Sequence, residues 1–351
     1  MTSEKVLNHY NTYPKMQLQD LYKFLYQSAF GCEHMTSSIL NVEEHLIREL
    51  NEIKTFSDVL TEELDGDYFR VHLSYLEKGL SAKTLARLFS LSAQREENGK
   101  EKLKEKLSVV RELVLNHKLP FDLEEFDLQL KKWEEEDFSS VHHTDTFCKE
   151  YAPAYRLVAG KFIPFLPLFA EIDKITEKNP FPIIAIEGKS ASGKTTLSRM
   201  IEEIYDCNVF HMDDFFLRSE QRTPERYNEP GGNIDYERFS KEVLNPLKNG
   251  ENVNYRRLNC ATMEIEEGIL FTEKKLAIIE GAYSMHPELS QYYDMSVFLE
   301  ITQEIQKKRI EKRNSPDMAD RFFNEWIPLE NEYFSKLDIK EKCDLIIKTA
   351  V

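Results

Sequence analysis

Nine consecutive residues, Gly188-Lys189-Ser190-Ala191-Ser192-Gly193-Lys194-Thr195-Thr196, carry the clearest chemistry in the chain. They fit the pattern G-x-x-x-x-G-K-[S/T] at every fixed position: Gly188, Gly193, Lys194 and Thr195. The chemistry of such a loop is phosphate binding. Its glycines let the backbone curl so that N–H groups from Ser190, Ala191 and Ser192 through Thr196 turn inward on phosphate oxygens. Lys194 can reach the β- and γ-phosphates of a nucleoside triphosphate, and the Thr195 hydroxyl can ligate Mg²⁺.

Three other groups of residues could act on that triphosphate. Asp213 and Asp214 close the run Cys207-Asn208-Val209-Phe210-His211-Met212. An aspartate there can accept the proton of an attacking hydroxyl or hold Mg²⁺ through water. Glu280 closes the run Leu276-Ala277-Ile278-Ile279 and can hold the same metal through water. Gln306 to Arg313 is strongly basic, and Arg309 and Arg313 lie four apart, hence on one helix face. Guanidinium groups there can neutralise charge on a transferring phosphoryl.

These residues need elements to hold them. Ile183 to Glu187 is a short β-branched run after Pro180 and Pro182, and Leu197, Met200, Ile201 and Ile204 recur at helical spacing behind the loop. Strand, glycine loop and helix is the context the motif requires, and the helix N-terminus adds positive potential. Leu276 to Ile279 and Met295 to Leu299 read as further buried parallel strands. In an open parallel sheet, acids at the carboxyl ends of strands face the ligand crevice.

The net charge of −16 argues against a broad nucleic-acid surface, which needs a basic face. Apolar residues at 41% and charged residues at 31% suit a soluble globular chain, and 351 residues suit two domains. The five cysteines are scattered without a C-x-x-C pair, so a reducing compartment is expected. No apolar run approaches the roughly 20 residues that span a bilayer, and the N-terminus has no apolar signal region. A cytoplasmic protein is expected, with no membrane and no nucleic acid among its partners. The sequence leaves homo-oligomerisation open.

Residues 1–165 read as a mainly α-helical domain of unknown role, 166–179 as a connecting segment, and 180–351 as the nucleotide-binding domain. Leu18, Leu21, Tyr22, Leu25, Tyr26 and Ala29 form one apolar stripe, and Ile39, Val42, Leu46, Ile47, Leu50 and Ile53 another. Glu96 to Lys106 is a charge-rich helical face, Pro120 stops that helix, and Phe121 to Trp133 starts the next. Cys32, His34, His72, His142 and His143 match no familiar ligand spacing, so surface or core roles are favoured over a metal site. Arg70 with His72, and His142-His143 with Tyr151 and Arg156, could form an anion pocket. Helix caps and pairs with carboxylates are the favoured reading.

The C-terminal half resembles the uridine kinase and phosphoribulokinase group of P-loop kinases. The carriers are the phosphate loop, Met212-Asp213-Asp214-Phe215-Phe216, Asn233-Ile234-Asp235-Tyr236-Glu237-Arg238-Phe239, Glu280-Gly281-Ala282-Tyr283 and Arg309-Ile310-Glu311-Lys312-Arg313. The resemblance implies that Asp213 activates the substrate hydroxyl and that Asp235 binds substrate. It also implies that Glu280 lies near the metal and that Arg309 and Arg313 belong to a lid. The nucleoside kinases of the group carry a Tyr-Asp pair where this chain reads Tyr255-Arg256-Arg257-Leu258-Asn259-Cys260. Either Tyr255 or Leu258 takes the tyrosine's place, the neighbouring acid is absent, and Arg256 and Arg257 point toward an anionic substrate. Arg218 to Asn233 reads as a mobile substrate loop. The stretch from Val141 to Arg156 is similar to an extension on bacterial uridine kinase-like proteins of unassigned function.

The expectation is therefore an α/β, doubly wound parallel-sheet P-loop kinase domain preceded by a helical domain. It would use ATP and Mg²⁺, the metal held by Thr195, Asp213 and Glu280, to phosphorylate a hydroxyl of a small molecule. The motifs N-K-x-D and L-S-G-G-Q are absent, and a domain of about 170 residues suits a small kinase. The alternative is a nucleotide-dependent switch or regulatory ATPase whose helical domain binds a protein partner.

Overall fold

A computed structural model describes residues 3–32, 39–53, 56, 58–64, 67–93 and 98–349. His34 and Glu96 lie outside these residues, as does the side chain of Ile39. The chain divides into two compact units, Met1–Ala170 and Glu171–Val351.

The first unit contains helices α1 (Ser3–Thr12), α2 (Leu18–Phe30), α3 (Ile39–Glu52), α4 (Ala82–Ser92), α5 (Gly99–Leu115), α6 (Leu123–Glu135) and α7 (Asp145–Tyr151). Their starts follow local chemistry. The side chains of Ser81, Asp122 and Thr144 accept hydrogen bonds from the first-turn N–H groups of Thr84, Glu125 and Phe147. The apolar stripe of α2 buries Leu18, Leu21, Tyr22, Leu25 and Ala29. The unit also holds an antiparallel sheet that helical spacing does not reveal. Its strands β1 (Thr61–Glu63), β2 (Tyr68–His72) and β3 (Tyr155–Ala159) pair in that order. Their short runs pair across a long sequence gap, so no local period announces them. The expected connecting segment lies in α8 (Leu166–Lys178), and the division between the units falls within this helix.

The second unit is built on a five-stranded, all-parallel sheet. Its strands are β4 (Ile183–Gly188), β5 (Asn208–His211), β10 (Ala277–Glu280), β11 (Met295–Glu300) and β12 (Leu345–Lys348), in the order β12-β11-β4-β10-β5. Short strands β6 (Val253–Tyr255) and β9 (Ile269–Phe271) form one antiparallel pair, and β7 (Leu258–Asn259) and β8 (Glu264–Ile265), between them in the chain, form a hairpin. Helix α9 (Lys194–Ile204) follows β4. Short turns α10 (Pro224–Tyr227), α11 (Tyr236–Phe239), α12 (Asn245–Lys248) and α13 (Pro287–Ser290) serve the middle of the unit. Helices α14 (Gln303–Arg313), α15 (Pro316–Arg321), α16 (Ile327–Lys336) and α17 (Ile339–Lys342) follow β11. Every residue of β4 is buried, as a strand covered on both faces must be. Phe210, Phe215, Phe239, Ile279 and Phe298 belong to one hydrophobic core.

The order of strands fixes the crevice. β4 is central, and the chain runs from it to β5 at one edge and later to β11 on the other side. Connections therefore diverge at the carboxyl end of β4, the point where open α/β sheets bind ligands.

Candidate active site

The phosphate loop leaves β4 at this point. Gly188 has φ +147°, and a Cβ there would stand 2.6 Å from the Leu299 carbonyl oxygen, a backbone atom that cannot step aside. Gly193 caps α9 in the left-handed region at φ +104°. Ala191 is also left-handed at φ +63°. Successive turns of this kind point backbone N–H groups into one concavity. Lys194 Nζ donates to Gly188 O at 2.7 Å and Lys189 O at 3.1 Å, so the ammonium lies over the loop. Thr195 and Thr196 stay exposed on the first turn of α9. Ser192 Oγ is buried without a hydrogen-bond partner.

Parallel register delivers the acids. Glu280 of β10 stands opposite Ile186 of β4 and His211 of β5. Its Oε1 accepts from Thr195 Oγ1 at 3.1 Å and contacts His211 Nδ1 at 2.5 Å. That contact raises the His211 pKa. Asp213 follows β5 in a turn and is exposed by overall surface, although surrounding protein encloses its carboxyl. Enclosure by surrounding protein is the largest cause of its raised pKa. Lys194 opposes the rise, and Glu280, Glu330 and Asp214 reinforce it. Asp213, Lys194, Thr195 and Glu280 therefore share one site, as their spacing implies.

Glu330 and Tyr333 reach the site without any sequence signal, whereas Arg309 is expected there. Glu330 on α16 accepts from Ser190 N at 2.9 Å and from Ser190 Oγ in a short contact. Gln306 Nε2 and Arg309 Nη1 on α14 donate to the carbonyls of Ser190 and Ala191 at 3.0 and 3.1 Å. Glu187, fully buried, accepts from Gly188 N, Met285 N and Tyr333 OH at 2.8, 3.0 and 3.0 Å. Burial pushes its pKa up to about 7. Glu187 ends the run expected as a strand, where no role is expected for it. Glu330, which touches the loop, and Tyr333, which bonds Glu187 at the end of β4, lie three apart on one helix far down the chain.

The two arginines of α14 part company. Arg309 grips the phosphate loop, whereas Arg313 is exposed, its guanidinium 5.6 Å from the centre of the Phe322 ring. Shared helical face is not shared distance, because one turn moves the second residue along the helix axis.

The expected substrate residues are used differently from what the motifs imply. Tyr255 is 3% exposed; its hydroxyl donates to Asp214 Oδ2 at 2.6 Å and meets His211 N and O at 3.0 and 3.2 Å. It braces the turn that presents Asp213. Asp235, 2% exposed, caps α11 through Arg238 N at 3.1 Å and accepts from Gln221 Nε2 at 2.9 Å. Arg256 is ion-paired with Glu242, and Arg257 Nη2 lies 3.4 Å from Glu266. The positive charge that suggested an anionic substrate is met by these carboxylates. The stretch 218–233, expected as a mobile loop, is a folded arm. Arg226 donates to Gly232 O, Ile234 O and Tyr236 OH at 2.9, 2.9 and 2.6 Å, and pairs with Glu237 at 2.8 Å.

In the first unit Arg70 and Arg156 pair with carboxylates, the reading favoured over an anion pocket. Arg156 pairs with Glu49 at 2.8 Å, and Arg70 with Glu62 at 3.1 Å. Cys32 is buried, and its Sγ donates to backbone carbonyls. Among the described residues no three His, Cys, Asp or Glu side chains gather as metal ligands, and no helix is long and apolar enough to cross a membrane.

Comparison with known proteins agrees with the motifs. Residues 183–324 match the model of the phosphoribulokinase / uridine kinase family. The dephospho-CoA kinase of Mycoplasma genitalium is 27% identical over 150 residues, covering 38% of this chain and 73% of that protein. Among solved structures, a possible uridine kinase from Bacillus stearothermophilus is 19% identical with a TM-score of 0.38, covering 51% of this chain and 98% of its own. The shikimate kinase of Acinetobacter baumannii is 17% identical with a TM-score of 0.27, covering 51% and 88%. The family match lies within the second unit.

Proposed function

We propose that the C-terminal unit transfers the γ-phosphoryl of ATP to a hydroxyl of a small molecule, with uridine kinase-like machinery. One observation supports this above all. Asp213, Glu280, Thr195 and Lys194 meet at the carboxyl edge of adjacent parallel strands, around a phosphate loop.

The residues fit MgATP. Thr195, Asp213 and Glu280 offer hard oxygen donors, and Mg²⁺ in such sites needs only one or two carboxylates beside phosphate and water. The unpartnered Ser192 Oγ and the Cβ-excluding Gly188 fit a close phosphate cradle. When bound, Mg²⁺ neutralises charge that develops on the transferred group. The loop amides and Lys194 hold the triphosphate. Asp213 accepts the proton of the acceptor hydroxyl as its oxygen forms the new P–O bond and the bond to ADP breaks. Arg309 holds the loop in shape from outside. Because Arg256 and Arg257 are paired and the crevice is acidic, an uncharged polyol or nucleoside suits it better than an anion.

The test is ADP release from MgATP across nucleosides, sugars, sugar phosphates and vitamin precursors, with Lys194→Ala and Asp213→Ala alongside. One compound is expected to raise ADP release and become phosphorylated, and both variants to lose this. If no compound helps and slow hydrolysis survives Asp213→Ala, hydroxyl activation is wrong and a nucleotide-dependent switch is the better reading.

A further inference from the structure

The N-terminal unit holds a second constellation that phosphoryl transfer does not use. Arg70 on β2 is 1% exposed. A charge so buried persists only with close partners. Its Nε and Nη2 donate to Gln27 Oε1 at 3.2 and 2.8 Å, and its Nη1 donates to Glu62 Oε2 at 3.1 Å. Glu62 is held in turn by His9 Nδ1 at 2.8 Å and Tyr13 OH at 3.1 Å. Side chains from α1, the turn after it, α2 and β1 thus fix one guanidinium. A guanidinium carries five N–H donors. The bonds to Gln27 and Glu62 leave one N–H on each Nη. Two residues along β2, His72 is 8% exposed, and its Nε2 has no hydrogen-bond partner. Burial lowers its pKa, so the ring is neutral near pH 7. Burying polar groups with unspent bonds is unfavourable unless something completes them.

Arg70 and His72 line a cleft of about 410 Å³. That lies within the span of small-molecule sites, about 300–1,000 Å³. Tyr13, Phe56, Phe147 and Tyr151 supply aromatic walls. The Arg70 guanidinium lies 4.7 Å from the centre of the Tyr155 ring.

We propose that this cleft is a second ligand site and takes an uncharged heteroaromatic compound, a nucleobase or nucleoside. Flat aromatic walls match a π-face. The two N–H groups of Arg70 and the His72 nitrogen match carbonyl and ring-nitrogen atoms along a base edge. Glu62 already balances the Arg70 charge, so a phosphate or carboxylate gains little there.

The test uses the full chain. Uracil, cytosine, adenine and uridine are titrated by calorimetry and saturation-transfer NMR, with benzoate and inorganic phosphate as charged probes. At least one uncharged probe is expected to bind saturably, with a Kd on the order of 1 mM or tighter. His72→Phe removes the nitrogen. Ala154→Phe fills the cleft and leaves the Ala154 carbonyl free to keep its bond from Leu73 N. Each is expected to weaken binding at least about tenfold with an unchanged melting curve. If His72→Phe fails to fold, Ala154→Phe carries the test alone. Absence of saturable binding, binding of benzoate or phosphate that is at least as tight and is lost in Ala154→Phe, or nucleobase binding that Ala154→Phe leaves intact would overturn the proposal. Binding that persists in the cleft variants but vanishes in Asp213→Ala would assign the nucleoside to the acceptor site of the kinase unit instead.

Discussion

Asp213 combines the two properties a general base needs: access to the crevice and a pKa raised by enclosure and by Glu280, Glu330 and Asp214. Asp213→Asn is expected to lower kcat by about 10²- to 10⁴-fold while MgATP still binds, measured by steady-state kinetics beside calorimetry. Loss of MgATP binding in this variant would mean that the carboxylate is chiefly a metal ligand. Glu187 makes a stability prediction. In the folded chain it keeps its proton up to about pH 7, against 4.5 in the unfolded chain. Between those values the folded state binds more protons, so the contribution of Glu187 to stability is lost as pH rises. The shift corresponds to on the order of 3 kcal/mol. Melting temperatures from pH 5 to 8 should therefore fall more steeply for the wild type than for Glu187→Gln. Parallel curves would show that burial does not hold the proton.

At the scale of elements, the strand–loop–helix unit and the α14 clasp each make a prediction. Gly188→Ala sets a methyl against the Leu299 carbonyl at 2.6 Å at a positive φ. Strain of this kind costs about 1–3 kcal/mol or more, so the variant should melt earlier and lose ATP affinity, seen by calorimetry and ligand titration. Arg309→Ala should raise the KM for ATP at least about tenfold, whereas Arg313→Ala should change it less than about threefold, because only Arg309 touches the loop. Equal effects would return Arg313 to a lid that closes over phosphate. The elements legible from sequence were those with a strong local period: α2, α9 and the buried runs of β4, β10 and β11. The β1-β2-β3 sheet was not legible, since β3 joins β2 only after four intervening helices. The folded arm around Arg226 was missed for a related reason. Its polar composition reads as loop, and only the tertiary contacts of one guanidinium order it.

At the scale of the whole molecule, each unit has its own core, and the division falls inside α8. A fragment beginning at Leu166 keeps that helix whole. It is expected to fold and bind MgATP with a Kd within about threefold of the full chain, by calorimetry on both. A fragment that fails to fold would mean the C-terminal core depends on the first unit. By itself the sequence determined the phosphate loop, the strand-end acids and the parallel α/β plan, because each depends on neighbours within a few residues. The partners of those residues were decided only in three dimensions. Glu330 and Arg309 reach the loop from helices more than a hundred residues on, Tyr255 turns inward to brace Asp214, and Glu62 spends the charge of Arg70. Long-range hydrogen bonds and ion pairs leave no period in a sequence; they exist only once packing has brought distant segments within about 3 Å.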